Sequence, residues 1–158
     1  MVRKSLIPRI PQNAPLRDQA WMDLDRIASV EVSSEDSDHP IESALLLEGK
    51  RGWRASNPGM QTIRLILDEP QKLRRILLVF EDTENSRTQE FVLRWSPDIQ
   101  HTSLEIVRQR WNFNPPDSVR EAEDYSVELT AVKVLELEIV PDKSGGEVRA
   151  SLVSLRLA

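Results

Sequence analysis

The chain has 158 residues, of which 39% are hydrophobic and 30% are charged, and its formal net charge is −5. This length and composition are typical of one soluble domain with its own hydrophobic core. The chain contains no Cys, which excludes disulfides, thiolate zinc sites and Cys nucleophiles. Its 21 Lys and Arg against 26 Asp and Glu disfavour nucleic acid as a partner, because proteins that bind nucleic acid normally carry a basic face.

The amino-terminal segment is basic but is interrupted by Pro8, Pro11 and Pro15, so it lacks the apolar stretch that a secretory signal requires. No run of about 18 apolar residues occurs, and we expect no membrane insertion. These features predict a cytoplasmic protein with an extended proline-rich arm at residues 1–15 and one domain at residues 16–158. The first part of this domain, residues 16–28, fits either a helix that begins after Pro15 or irregular structure.

Alternation of apolar and polar residues predicts about eight strands, beginning with residues 27–33. Residues 61–68 and 73–81 are predicted as two strands joined by a short hairpin connection that contains Pro70. The same pattern recurs in five later segments: 91–95, 106–113, 125–129, 135–139 and 153–157. Regular strands without a helical period favour an antiparallel β-sandwich, in which the end loops carry function.

Four runs of residues carry a resemblance to a known family. They are Val-Glu-Val-Ser-Ser-Glu at 30–35, Ile-Glu-Ser-Ala-Leu-Leu-Leu-Glu-Gly at 41–49, Gly-Trp-Arg-Ala-Ser at 52–56, and the closing strand at 150–157. Over roughly residues 27–158 the order of these elements resembles the discoidin, or coagulation factor 5/8 type C, domains. The resemblance implies an eight-stranded jelly roll of the galactose-binding-like type. Members of that family are usually non-catalytic modules that bind glycans, lipids or proteins.

The resemblance also implies a structural calcium ion near the acidic-Gly turn, where Glu48 would be a ligand. This chain departs from the family pattern there, because Glu48 replaces the typical Asp and Lys50 and Arg51 stand where further acidic ligands would be. The absence of Cys is a second departure, since many extracellular members join the ends of the domain by a disulfide, and it agrees with an intracellular variant.

Residues 49–54, Gly-Lys-Arg-Gly-Trp-Arg, combine two glycines with basic side chains and an indole. Arg51 and Arg54 would offer guanidinium donors, and Trp53 an apolar face, to a sugar or a carboxylate. The alternative is that Trp53 plugs the end of the sandwich while Arg54 pairs with a nearby carboxylate.

Three further residues complete the expected ligand-binding set. His39 ends the acidic run at residues 35–39, which offers oxygen ligands to a cation but is interpreted more simply as a solvated loop. Asn112 and Arg120 flank the loop at residues 115–116 and would supply amide and guanidinium donors, although Asn near Pro is also ordinary turn chemistry. The predicted ligand-binding residues are therefore His39, Arg51, Trp53, Arg54, Asn112 and Arg120.

Catalysis has little support, because the sequence has no nucleophile elbow, phosphate-binding loop or dinucleotide fingerprint. Only His39 and His101 are available as bases of near-neutral pKa. The acidic run at residues 121–124 is interpreted as the solvated start of a strand. A hydrolase would need Glu121 or Glu123 in an acidic cleft.

The leading hypothesis is a non-catalytic module that holds a glycan or a similar polar ligand. It would use the loops at residues 34–42, 48–60 and 112–121, at one end of the sandwich. The alternative is an intracellular protein-interaction domain with the same fold and no small-molecule ligand.

Overall fold

The computed structural model describes residues 21–47, 51–100 and 103–158, and these form eight strands and two one-turn helices. The helices are α1 (Leu24–Ile27) and α2 (Glu42–Leu45). The strands are β1 (Ala28–Val32), β2 (Trp53–Pro58), β3 (Gln61–Glu81), β4 (Arg87–Ser96), β5 (Leu104–Phe113), β6 (Arg120–Val140), β7 (Arg149–Leu152) and β8 (Ser154–Leu157). In these residues no helix is long and apolar enough to cross a membrane. The arm predicted at residues 1–15 lies outside the described part of the chain.

The strands form an antiparallel sandwich in which one long ribbon contributes to both layers. The main sheet has the order β1-β3-β6-β4-β5, with β8 also paired to β3, while β2 and β7 form a separate ribbon. β3 and β6 pair along their whole lengths, and their register shifts around residues 66–75. Phe80 in the second half of β3 stacks on Phe91 of β4, with ring centroids 5.2 Å apart. The ribbon therefore bends, and its second half packs over the sheet that its first half helps to form.

The hairpin predicted between residues 61–68 and 73–81 is wrong, because both segments belong to the single strand β3. The first half of β3 pairs with β1 and the second half with β8. Exposed Pro70 lies within the register shift, where a missing ladder hydrogen bond is tolerated. The predicted strands 125–129 and 135–139 are likewise one strand, β6, and the strand β2 was not predicted.

The bend brings both ends of the long ribbon to the same end of the sandwich. There Glu81, at the end of β3, pairs with Arg120, at the start of β6. Arg87 at the start of β4 pairs with Phe113 at the end of β5, and Asp82 donates its backbone N–H to the carbonyl oxygen of Val119 at 2.8 Å. The connections after β1, β3, β5 and β6 therefore meet at one end of the fold.

Candidate functional site

A cleft of about 860 Å³ lies at this end of the sandwich. One wall consists of the loop after β1, the start of β2 and the start of β7, and the other wall is the turn between β3 and β4. The predicted ligand-binding residues His39, Arg51, Trp53 and Arg54 all line it. The structure thus brings together four residues that the sequence analysis had singled out.

The strand β2 and the loop after β1 together position Arg54. Its neighbours Trp53 and Ala55 are buried, so strand alternation directs the Arg54 side chain outward. The backbone N–H of Arg54 donates to the carbonyl oxygen of His39 at 3.1 Å, and its own carbonyl oxygen accepts from the N–H of Asp36 at 2.8 Å. Both backbone groups of Arg54 are thereby fixed to the loop that also carries His39.

Trp53 forms the floor of the cleft rather than an exposed platform. Only 1% of its surface is exposed, and its Nε1 donates to the carbonyl oxygen of Ser34 at 3.0 Å. Ser34 in turn donates its hydroxyl to Gln61 at 2.8 Å and accepts the backbone N–H of Ser56 at 3.1 Å. The stacking role considered for Trp53 is therefore wrong, since the buried ring plugs the end of the sandwich as in the alternative interpretation.

A short acidic turn forms the opposite wall. Asp82 accepts the backbone N–H groups of Glu84 at 2.8 Å and Asn85 at 3.0 Å, and it accepts Nε of Arg87 at 2.6 Å. Burial alone would raise the pKa of Asp82, but these hydrogen bonds outweigh burial and hold the pKa below its usual range. Asp82 is therefore an ionised carboxylate that is already bound by its neighbours.

Arg87 anchors this turn from inside the protein. Its side chain is buried and donates to the carbonyl oxygen of Pro141 at 2.7 Å as well as to Asp82. Its guanidinium carbon also lies 4.5 Å from the centre of the Phe113 ring. Arg87 thus links the turn between β3 and β4 to the end of β6 and to β5.

The cleft carries three exposed guanidinium groups, from Arg51, Arg54 and Arg149. Arg51 donates to the carbonyl oxygen of Asp38 at 3.5 Å, which does not neutralise its charge. Within the described residues, Arg54 and Arg149 form no ion pair. These groups are therefore available as donors to a ligand.

Two predicted residues lie outside the cleft. Asn112 lies in a separate depression of about 480 Å³ on β5, where its Oδ1 accepts the Thr88 hydroxyl at 2.7 Å. Arg120 does not line the cleft, but its Nη1 is 3.6 Å from the carboxylate of Glu81, which does. The expectation that Asn112 and Arg120 share one site with His39 and Arg54 is therefore wrong. The loop after β5 lies at the same end of the fold as the cleft, but its residues do not line the cleft.

The predicted calcium ligand, Glu48, lies outside the described residues and remains a prediction. In the described ranges, 21–47, 51–100 and 103–158, no three His, Asp or Glu side chains converge as metal ligands. In the acidic run at residues 35–39, Asp36 pairs with His39, whose Nδ1 lies 3.6 Å from the Asp36 carboxylate. A backbone hydrogen bond from Asp38 is the main cause that lowers the pKa of Asp36.

The prediction that Glu121 is solvated is wrong. Its side chain is fully buried, its Oε1 accepts from Gln89 at 3.3 Å, and its Oε2 has no hydrogen-bond partner among the described residues. Burial, together with the adjacent Glu123, raises the pKa of Glu121 to about 9. It does not line the cleft, so it forms no part of the candidate site.

Sequence reasoning missed the acidic wall and Arg149. The signal for the wall was the Asp-Thr-Glu-Asn-Ser run at residues 82–86, whose residue types favour a turn between strands. Arg149 follows the Gly145-Gly146 pair directly before the closing strands. Neither segment has a spacing that indicates binding, because the turn reaches the cleft through the bend of the β3–β6 ribbon and Arg149 reaches it through the β2–β7 ribbon.

Comparison with known proteins gives matches at the level of structure. No family model matches the sequence, and no curated protein matches it. One similar solved structure is the CBM32 of AlyQ in complex with 4,5-unsaturated mannuronic acid, with a TM-score of 0.60, 19% identity and coverage of 84% of this chain and 95% of that chain.

Two further solved structures belong to carbohydrate-binding modules. The family 32 module from C. perfringens NanJ, in complex with galactose, has a TM-score of 0.60 and 14% identity over 87% of this chain and 96% of that chain. A pectin-binding carbohydrate-binding module has a TM-score of 0.59 and 20% identity over 84% of this chain and 90% of that chain. At these identities the likeness shows the fold, a galactose-binding-like β-sandwich, as the sequence predicted.

Proposed function

We propose that this chain is a non-catalytic carbohydrate-binding domain that holds its ligand in the end cleft. The observation that carries the proposal is the pairing, in one cleft of about 860 Å³, of free guanidinium donors with carboxylate acceptors. A sugar presents a rim of hydroxyls that both donate and accept hydrogen bonds, so it needs both kinds of partner. The volume lies within the range of about 300–1,000 Å³ that is usual for ligand sites. The solved neighbours that contain galactose and a mannuronic acid support this class of ligand.

The charged groups of the cleft suit binding better than turnover. The carboxylate of Asp82 is held by Arg87, and its lowered pKa makes it a poor proton donor at neutral pH. Glu121 has the raised pKa of a general acid, but it is buried away from the cleft. Neither Asp82 nor Glu121 is therefore suited to protonate a leaving group in the cleft, whereas Asp82 and the arginines are suited to hydrogen bonding with a ligand.

Isothermal titration calorimetry against a panel of neutral and acidic oligosaccharides tests this proposal. We expect binding by the unmodified protein, at least tenfold weaker binding by Arg54→Ala, and unchanged binding by Arg74→Ala. Arg74 is an exposed arginine on β3 that lies outside the cleft, so it is a matched control. If none of the sugars binds, or if Arg54→Ala binds like the unmodified protein, the proposal is wrong.

One observation favours the alternative of a protein-docking domain. Ile99 and Leu104 are 67% and 57% exposed, next to the turn between β4 and β5 at the opposite end of the sandwich. Clustered exposed apolar side chains often mark protein interfaces. However, β5, which pairs only with β4 among the described strands, carries Arg108 and Arg110, and charged side chains discourage pairing at a sheet edge.

A further inference from the structure

We propose that the sugar recognised by this cleft carries a carboxylate, as a uronic acid does. This inference rests on the proposed function and goes beyond it by naming the charge class of the ligand. It is carried by the contrast between the three cleft arginines Arg51, Arg54 and Arg149 and the ion-paired arginines on the outer face of the main sheet.

Most arginines outside the cleft already have an acidic partner. The ion-paired ones are Arg64, Arg75, Arg94, Arg108, Arg110 and Arg120. On the outer face of the main sheet this pairing is systematic, with Arg64 between Glu31 and Glu136 and Arg94 between Glu136 and Glu138. On this face Arg64 and Arg94 are therefore neutralised by neighbouring carboxylates, whereas Arg26, Arg74 and Arg156 form no ion pair within the described residues.

The cleft wall departs from this pattern although carboxylates are close by. The charge of Arg149 contributes to the lowered pKa of Asp36, yet no ion pair joins Asp36 to Arg149 or Arg54 among the described residues. Asp82 and Glu81 on the opposite wall are paired with Arg87 and Arg120. Arg54 and Arg149 therefore remain without an acidic partner among the described residues.

The position of the guanidinium groups on β2 and β7 suits an extended anionic ligand. Arg54 pairs with Ser151 across the β2–β7 ribbon, and Arg149 lies two residues from Ser151 on β7. Ala150 and Leu152 are buried, so alternation directs Arg149 and Ser151 outward on the same face as Arg54. Guanidinium groups bind carboxylates through two parallel, charge-assisted hydrogen bonds, whereas a neutral hydroxyl lacks both the charge and the pair of oxygens that this geometry needs.

The remaining carboxylates of the cleft have a role in this arrangement. Glu84 and Glu147 are exposed and line the cleft. A uronic acid presents its carboxylate on one side of the ring and hydroxyl donors on the others, so it satisfies the arginine wall and the acidic groups at once.

The test compares binding of oligogalacturonate with binding of its fully methyl-esterified form, which has the same ring and hydroxyls but no charge. We expect the acid to bind at least tenfold more tightly than the ester, and its binding to weaken as salt is raised. Arg149→Ala and Arg54→Lys should reduce the ratio between the affinities for the acid and the ester. The first variant removes a charge, and the second removes the bidentate hydrogen-bond geometry. Arg74→Ala should leave the ratio unchanged.

Each outcome separates the two proposals. Equal binding of acid and ester, or preference for galactose, would overturn the carboxylate inference while leaving the carbohydrate-binding function intact. Preference for a sulfated oligosaccharide over oligogalacturonate would also overturn it, since the anion would then not be a carboxylate. If no sugar binds at all, the proposed function itself fails. The thermal unfolding midpoints of the variants identify any loss of binding that is due to misfolding.

Discussion

Arg54 donates its backbone N–H to the carbonyl oxygen of His39 at 3.1 Å, so two residues fifteen positions apart in sequence are joined directly at the wall of the cleft. The contact holds because the loop after β1 folds back on itself through the Asp36–His39 bridge. Backbone contacts do not depend on side-chain identity. A substitution of the Arg54 side chain therefore removes the guanidinium without releasing the loop, which makes Arg54→Ala a clean probe of binding.

The approach of β2 to β7 depends on Gly52. This residue has φ of +71°, and a Cβ added to it would lie 2.6 Å from the carbonyl oxygen of Leu152. Gly52→Ala should therefore displace the start of β2, lower the free energy of unfolding, and weaken sugar binding through Arg54. Urea denaturation and calorimetry measure the two effects.

Gly59→Ala is the matched control for that substitution. Gly59 also has a positive φ, of +84°, but a Cβ there would meet no atom within 4 Å. We expect Gly59→Ala to cost about 1 kcal/mol from backbone conformation alone, with Gly52→Ala costing clearly more because of the clash. If the two variants lose the same free energy of unfolding, the backbone around Leu152 must shift to accommodate the added Cβ without a further cost.

The buried ion pair of Arg87 and Asp82 should dominate the stability of the acidic wall. Arg87→Met leaves the Asp82 carboxylate without its 2.6 Å partner, and we expect a loss of about 3–5 kcal/mol in the free energy of unfolding. The double variant Arg87→Met with Asp82→Asn should recover part of this loss, since an amide oxygen still accepts the N–H groups of Glu84 and Asn85. Urea denaturation of the unmodified protein, the two single variants and the double variant gives the coupling energy, and a double variant no more stable than Arg87→Met would contradict this expectation.

The sandwich could be predicted because the alternation of apolar and polar residues in β1, β4, β5 and β8 is a property of each segment alone. The prediction failed where residues distant in sequence decide the structure, as at Pro70 and Glu121. Pro70 looks like the end of a strand, but β3 continues past it because β6 runs alongside with a shifted register. Glu121 looks solvated within a run of acids, yet the bend of the ribbon directs it inward against Gln89.

The same limit applies to the candidate site. Arg51 and Arg54 were found because they lie in sequence beside a tryptophan and two glycines, and His39 was found because it ends an acidic run. Arg149 was missed, since it is almost one hundred residues from Arg54 and reaches the cleft only through the β2–β7 ribbon.

Glu90 should contribute stability that is lost only in strong acid. Its carboxylate lies 2.8 Å from Lys143, 2.8 Å from Arg108 and 3.1 Å from Arg110, and hydrogen bonds from Lys143 and Arg108 lower its pKa to about 2. Because the folded-state pKa is below the usual 4.5, the contribution is complete above pH 4.5 and disappears as the pH falls through about 2. Glu90→Gln should be less stable than the unmodified protein at pH 7, with a difference that shrinks toward pH 2. A difference independent of pH would mean that the carboxylate charge has no part in it.

Glu121 should have the opposite effect on the pH dependence of stability. Burial and Glu123 raise its pKa to about 9, so the folded protein holds a proton that the unfolded chain releases near pH 4.5. Between these values the folded state binds more protons, and the contribution of Glu121 to stability therefore falls as the pH rises. Gln is close in shape to a protonated Glu and does not titrate. Glu121→Gln should therefore resemble the unmodified protein at pH 4 and be more stable than it at pH 8, by about 1 kcal/mol or more.

Chemical denaturation of the two proteins between pH 4 and pH 9 measures this difference. Glu123→Gln should reduce only in part the decrease in the free energy of unfolding with rising pH, because it removes the neighbouring charge but leaves Glu121 buried. Glu81→Gln is the control, because Glu81 is an exposed carboxylate on the same ribbon, and a change seen equally in this variant would not be due to the burial of Glu121. If Glu121→Gln were less stable than the unmodified protein at pH 8, Glu121 would have to be ionised in the folded state. Its unpartnered Oε2 would then require a cation or a donor in the interior of the sandwich, next to Gln89.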